Sequence, residues 1–308
     1  MRKVHRIGLT MLSGLLIAGV ASAANIVTAP QGGVARWAGM AASECGVYGK
    51  RFAAVDATCY YPVDIRTKPG SHEIALWDQD GRQHLGTLRV EKAEFAVVEM
   101  ELPENLKRFI EPSAEETRRA AAEREEIRKV LGGSQDAPRF SLPLGQPAST
   151  LPASADDFGN ERLFNKEHKS LHSGRDYPVS IGSPVKAVAD GTVVLAADHF
   201  FAGNSVYVDH GDGLVSMNFH LDSIAVKQGD TVKRGQTLGK IGSTGRATGP
   251  HLHIGLRWLG KRIDPALLFA KPTALPSVSD THAEAERKIE KAEQREPDEG
   301  DVVLDEED

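Results

Sequence analysis

The chain has 308 residues, 26% of them charged, with a formal net charge of −6, a length sufficient for two modest domains and flanking segments. The negative charge is uneven: from Thr281 to Asp308 there are twelve acidic and four basic residues, which leaves the remainder near +2. No strongly basic surface points to nucleic acid as a partner.

Arg2, Lys3 and Arg6 precede an apolar run from Ile7 to Val20 and the small-residue site Ala21-Ser22-Ala23. This is the pattern of a cleaved signal peptide over residues 1–23, with Ala24 as the first mature residue. The run is too short for a comfortable membrane span. No cysteine follows it until Cys45, so no stable membrane anchor is expected. Cys45 and Cys59 are the two cysteines of the sequence, and an even pair in an exported chain predicts a disulfide.

From 24 to 103, short β-prone runs alternate with turns, such as Ser71–Trp77 before Asp78-Gln79-Asp80-Gly81, then Leu85–Val90 and Phe95–Met100. The spacing predicts a small antiparallel β-sandwich. His72 and His84, flanking the Asp-Gly turn, read as exposed polar residues rather than ligands. Residues 104–133 read as a helical spacer, or a helix packing between the domains, opened by a capping box at Ser113 and Glu116 and closed by Gly132-Gly133. Glu115–Arg119 and Glu125–Lys129 fall at the i,i+4 spacing of a solvated helix. From Phe140 onward the runs are β-branched and turn-bounded, as in Gly191–Leu195 and Asn204–Val208. They predict a compact antiparallel β domain over 134–272, self-contained beyond the Gly-Gly break. His210, in the hairpin signal Asp209–Gly213, reads as structural. Residues 273–308 read as an acidic disordered tail, with at most a short helix near His282–Glu293.

Two clusters carry chemistry. His172-Ser173-Gly174-Arg175-Asp176 places an imidazole and a carboxylate in reach of one loop, and His251-Leu252-His253 puts two imidazoles on one face of a strand. His220 lies between them in Asn218-Phe219-His220-Leu221. Two imidazoles and one carboxylate suit a zinc ion that keeps one position for water.

The context of these clusters is Phe158–Asn165 before the first, Val185–Gly191 and Val226–Asp230 between, and Gly242–Gly255 around the last. From about Phe140 to Phe269 this order of motifs resembles the LytM/lysostaphin-type zinc endopeptidases of bacterial cell walls. The upstream sandwich is similar to the immunoglobulin-like modules that precede some of these enzymes. The implied architecture is mostly β: a small N-terminal sandwich, a helical spacer and a C-terminal LytM-type domain. The resemblance implies one Zn2+ held by His172, Asp176 and His253, with His220 and His251 as the non-ligand catalytic pair, in unassigned roles of base and electrostatic stabiliser. Arg162, Asn165, Arg246 and Thr248 lie in family-like segments and are candidate substrate contacts. Asn218 is a fifth, standing where relatives commonly carry Tyr, a departure that bears on substrate positioning.

The implied substrate is the peptide cross-link of peptidoglycan, cleaved by a D,D-endopeptidase of the periplasm, with glycine-bridge cleavage as the neighbouring possibility and secretion as the alternative location. A regulatory protein partner is compatible with the sequence but not identified by it. Two readings compete: a non-catalytic LytM-like protein that binds and activates a cell-wall amidase, and a lipoyl- or biotinyl-type carrier suggested by Val226–Gln236. Every ligand position is filled, which disfavours the first. No lysine occupies a tight-turn attachment setting, which disfavours the second.

Overall fold

Turn-bounded β-branched runs become strands throughout the computed structural model, which describes residues 25–149, 151, 157–166 and 168–278. The signal-peptide reading and the expected helix near His282 lie outside the described residues. Upstream, the chain forms β1 (Ile26–Pro30), β2 (Val34–Trp37), β3 (Ala42–Val47), β4 (Lys50–Ala53), β5 (Cys59–Pro62), β6 (Gly70–Asp78) and β7 (Gln83–Glu91). A five-stranded sheet of order β1-β7-β6-β3-β4 faces the β2–β5 pair. The β6–β7 turn is held by Asp78, whose carboxylate accepts the backbone N–H of Asp80 and Arg82 at 3.0 and 2.9 Å. Cys45 and Cys59 are joined, tying β3 to β5.

Three sequence expectations change here. The sandwich is not wholly antiparallel: β1 runs parallel to β7, because the chain leaves β1 into the β2–β5 layer instead of turning back beside it. His84 is not free but pairs with Asp78 at 2.9 Å. His72 is partly buried, edge-on to the ring of Tyr48.

Next come β8 (Val97–Met100), a short 3-10 turn at Glu104–Phe109 and α1 (Ala114–Val130). The capping box is present: Ser113 Oγ accepts Glu116 N–H and Glu116 accepts Ser113 N–H. The charge pairs differ from those read off the spacing. Arg119 binds Glu123 and, across to the next domain, Asp198, while Arg128 pairs with Glu125. Of the two readings of this helix, packing between the domains is the one the structure shows. Ile127, Val130 and Leu131 pack on an apolar patch formed by Leu195, Tyr207, Val215 and Met217. Phe109 packs against Phe200 and Phe201.

The remainder supplies β9 (Glu161–Phe164), β10 (His168–Leu171), β11 (Arg175–Tyr177), β12 (Pro184–Lys186), β13 (Gly191–His199), β14 (Gly203–Asp209), β15 (Leu214–Ile224), β16 (Thr231–Val232), β17 (Thr237–Ile241), β18 (Leu252–Trp258), β19 (Lys261–Ile263) and the short α2 (Pro265–Phe269). An antiparallel sheet runs β11-β18-β15-β14-β13-β16, with β17 bridging β12 and β15 and β19 added to β18. β9 and β10 form a hairpin beside it, and β8 joins that hairpin by parallel pairing with β9. The Phe95–Met100 run, expected in the upstream sandwich, therefore belongs to the wall of the downstream domain.

The two halves share one apolar core rather than two. Tyr60 packs on Trp258, and Phe140 meets the same indole edge-on. Arg262 grips Asp64 with two bonds of 2.6 and 3.1 Å. Ala53 N–H donates to Asp212, whose carboxyl is pushed up to about 6 by burial. The chain stays packed past residue 273: Leu275 and Val278 are buried, and Arg36 N–H donates to Pro276 O. A tail boundary at 273 is thus several residues early, because apolar Leu275 and Val278 complete the upstream core.

Candidate metal centre and active site

β11 and β18 pair so that Asp176 stands directly opposite His253. Opposed residues point to the same face, so carboxylate and imidazole meet by register alone. His172 enters from the end of the β10 strand, four residues earlier. Asp176 Oδ1 lies 2.8 Å from His253 Nδ1 and 3.2 Å from His172 Nε2, and the two nitrogens are 3.2 Å apart. His172 and His253 are buried and Asp176 nearly so. Gly174 makes the approach possible, since a Cβ there would stand 2.6 Å from both His253 Nε2 and Ile254 O.

These three atoms fit a divalent cation. A tetrahedral zinc site with bonds of about 2.0–2.1 Å has ligand atoms about 3.3 Å apart. His172 Nδ1 donates to Asp157 O at 2.9 Å, with the Asp157 carboxylate 3.2 Å away, so its Nε2 presents a lone pair to the cluster. His253 is held flat on the ring of Phe219, at 5.0 Å between centroids and 1° between planes. Without a cation, burial opposes charge on His172, but the Asp157 and Asp176 carboxylates outweigh it and lift the pKa to about 9. Burial likewise opposes ionisation of Asp176, but His172 and His253 hold its carboxyl far below the usual range.

His220 and His251 flank the cluster, with ring centroids 5.0 Å apart. His220 takes the left-handed backbone conformation (φ 60°), costly for a side chain with Cβ. That turn breaks the strand alternation and delivers the ring to the site. Its N–H donates to Ala202 O and its Nδ1 to Thr244 O, both 2.8 Å, so Nε2 is free to accept a proton. Burial, reinforced by His253 and His251, lowers its pKa to about 3. His251 Nδ1 donates to Gly249 O at 2.8 Å, and its Nε2 lies 3.6 Å from Asp176 Oδ1.

The five candidate substrate contacts separate. Arg162 is committed to the centre itself: its guanidinium donates to Asp176 Oδ2 at 2.6 Å and to Asp157 Oδ2 at 3.2 Å. Asn165 forms the β9–β10 turn, where its Oδ1 accepts Leu102 N–H. Asn218 is 1% exposed and faces the core, because Val215, Met217 and Phe219 take the site face of β15. Arg246 is sandwiched by Phe164 and Phe201 and donates to Ser170 Oγ. Thr248 is exposed on the loop before His251. Arg162 and Asn165 thus make contacts within the protein, while Asn218 is buried with its Oδ1 unpaired among the described residues. Asp157 was not anticipated, although it sits immediately before the Phe158-Gly159 motif.

α1 and the sheet enclose a cavity of about 650 Å³ that opens beside His253 and Ser173 and runs under Ile127 and Leu131. Its volume is that of a small-ligand or peptide site.

Residues 170–265 match the model of peptidase family M23. Over 93 residues the chain is 44% identical to the peptidoglycan DD-endopeptidase ShyA of Vibrio cholerae, covering 30% of this chain and 22% of that protein. Over 118 residues it is 38% identical to the DD-carboxypeptidase/endopeptidase Mpg of Neisseria meningitidis, covering 38% and 27%. The matched segment thus spans roughly a quarter of each curated relative. The crystal structure of a candidate peptidase M23 from Pseudomonas aeruginosa is 30% identical with a TM-score of 0.60, and the alignment covers 78% of this chain and 94% of that one. The chain belongs to peptidase family M23.

Proposed function

We propose that this protein is a zinc-dependent endopeptidase that hydrolyses the peptide cross-links of peptidoglycan, acting as a D,D-endopeptidase in the periplasm after export. The observation that carries the reading is the convergence of His172 Nε2, Asp176 Oδ1 and His253 Nδ1 at 2.8–3.2 Å, with two further imidazoles beside them. The identity to peptidoglycan DD-endopeptidases over the same residues supports the substrate class.

His172, Asp176 and His253 would hold one zinc ion. Bound there, zinc polarises the carbonyl under attack and lowers the pKa of water to about 7. The protein's own groups do the rest. His220 and His251 each have Nδ1 tied to a backbone carbonyl, which leaves Nε2 to handle protons at the scissile peptide. One, as neutral imidazole, takes the proton of the attacking water and the other, as imidazolium, donates to the developing oxyanion; a group in either role is worth about 10²–10⁴-fold. Phe219 fixes His253 by stacking, and Arg162 fixes Asp176 by a charged hydrogen bond. The cavity under α1 offers the peptide a partly dry groove.

Digestion of purified, defined muropeptides by the mature protein, read by mass spectrometry, tests the proposal. Cross-linked dimers should fall to monomers, chelator should stop the reaction and zinc should restore it. Dimers left intact under zinc would overturn it. Fractionation of cells expressing the full chain should place the mature form in the periplasm.

A further inference from the structure

Along β18, residues 253, 255 and 257 face the α1 cavity, while Leu252, Ile254, Leu256 and Trp258 are fully buried in the core. His253 and Arg257 therefore stand on one floor, roughly 13 Å apart at about 3.3 Å per residue. The residue between them is Gly255, so no side chain of this strand rises between the two ends. Opposite it, Met217 fills the floor: a Cβ on Gly255 would stand 2.6 Å from Met217 Cε.

Arg257 is unusual in its surroundings. It is half-buried, its Nε is shielded from solvent, and that Nε has no hydrogen-bond partner among the described residues. Its cross-strand neighbours are Val215 on β15 and Arg262 on β19. Asp64 is the acid nearest this pair, and Arg262 already holds both its oxygens. Glu123, the acid lining the cavity among the described residues, is also engaged, accepting from Arg119 Nε at 2.6 Å and Phe200 N–H at 2.8 Å. Arg124 adds a second guanidinium from the roof of the same cavity. Burial together with Arg262 pushes the Arg257 pKa down, and the Asp64 carboxylate offsets only part of that shift.

We infer that Arg257 is a substrate-binding residue, forming at the far end of the groove a subsite for a carboxylate of the bound peptide, about 13 Å from the metal-ligand cluster. The Arg257 guanidinium, lining the cavity with its Nε unpaired, matches a carboxylate in charge. The subsite favours anionic peptides that lie along β18 and sets their register on the catalytic histidines. It rests on the peptidase reading given above.

The test compares a cross-linked muropeptide with its carboxamide derivative, using the intact mature protein and the variants Arg257→Gln and Arg257→Lys. Cleavage gives kcat and KM, and calorimetry gives affinity in parallel. A charged hydrogen bond of the usual strength predicts a loss of about 10- to 100-fold in kcat/KM for Arg257→Gln on the acid, carried by KM. Arg257→Gln should cleave acid and amide equally, while the unaltered protein should prefer the acid by a similar factor. Arg257→Lys should recover part of that preference. Equal loss on both substrates would reduce Arg257 to a structural role and overturn the inference, as would no loss on either. A protein that binds the acid in preference to the amide through Arg257 but cuts neither would defeat the peptidase reading and leave the carboxylate subsite standing.

Discussion

Arg162, a candidate substrate contact from sequence, is tied to the metal-ligand cluster in the structure. Its charge serves the metal-ligand cluster, bridging Asp176 and Asp157, and Asp157 in turn orients His172. The clamp leaves Asp176 Oδ1, not Oδ2, facing the two histidines. Groups that orient metal ligands are typically worth 10- to 100-fold in affinity. Arg162→Gln and Asp157→Ala are each expected to weaken zinc binding by about that factor in a competition titration with a chromophoric chelator. Arg162→Lys should recover part of it. Unchanged affinity in both variants would show that the clamp orients nothing.

At the scale of elements, what was legible follows what is local. His253 lies on β18 with His251 just before its first residue, as the His-x-His spacing suggests, and the capping box at Ser113 and Glu116 spans a single helical turn. Strand alternation, carried back from Phe219, would have turned Asn218 into the core; His220 escapes that rule through its positive φ, which no pattern of neighbours reveals. The α1 face was obscured because Glu and Arg are interleaved with Ala120, Ile127 and Leu131, so the amphipathic stripe is weak. Its partners, Tyr207 and Met217, lie far along the chain. The pairing of β8 with β9 was hidden for the same reason.

The β14–β15 hairpin carries a pH signature of its own. His210 is fully buried, with Nδ1 near Asp190 O and Nε2 near Ser216 Oγ, and burial lowers its pKa from 6.5 to about 4. Between those values the unfolded chain binds the proton and the folded chain does not. Its contribution is therefore complete above pH 6.5, shrinks as pH falls toward 4, and is constant below. The full swing is about 3 kcal/mol. Urea midpoints of the unaltered protein and of His210→Gln, followed from pH 7 to pH 4, should converge as pH falls. Parallel curves would contradict this.

For the whole molecule, the shared core decides how the chain can be divided. The motifs of the centre all lie beyond residue 140, which invites a fragment starting at 134. Yet Trp258 packs on Tyr60, Arg262 is held by Asp64, and α1 covers Val215 and Met217. Removing residues 24–133 would uncover these groups, so the fragment is expected to aggregate or to melt well below the intact mature protein. A soluble fragment of unchanged Tm would mean that the interface contributes little.

Zinc content measured beside cleavage rate, in His172→Ala and His220→Ala of the mature protein, bears most directly on the proposed centre. His172→Ala leaves two ligands and should lose metal and activity together. His220→Ala leaves His172, Asp176 and His253 in place, so zinc should stay near one per chain while turnover on a cross-linked muropeptide falls by about 10²–10⁴-fold. Zinc retained by His172→Ala and lost by His220→Ala would contradict the assignment of ligands and catalytic groups.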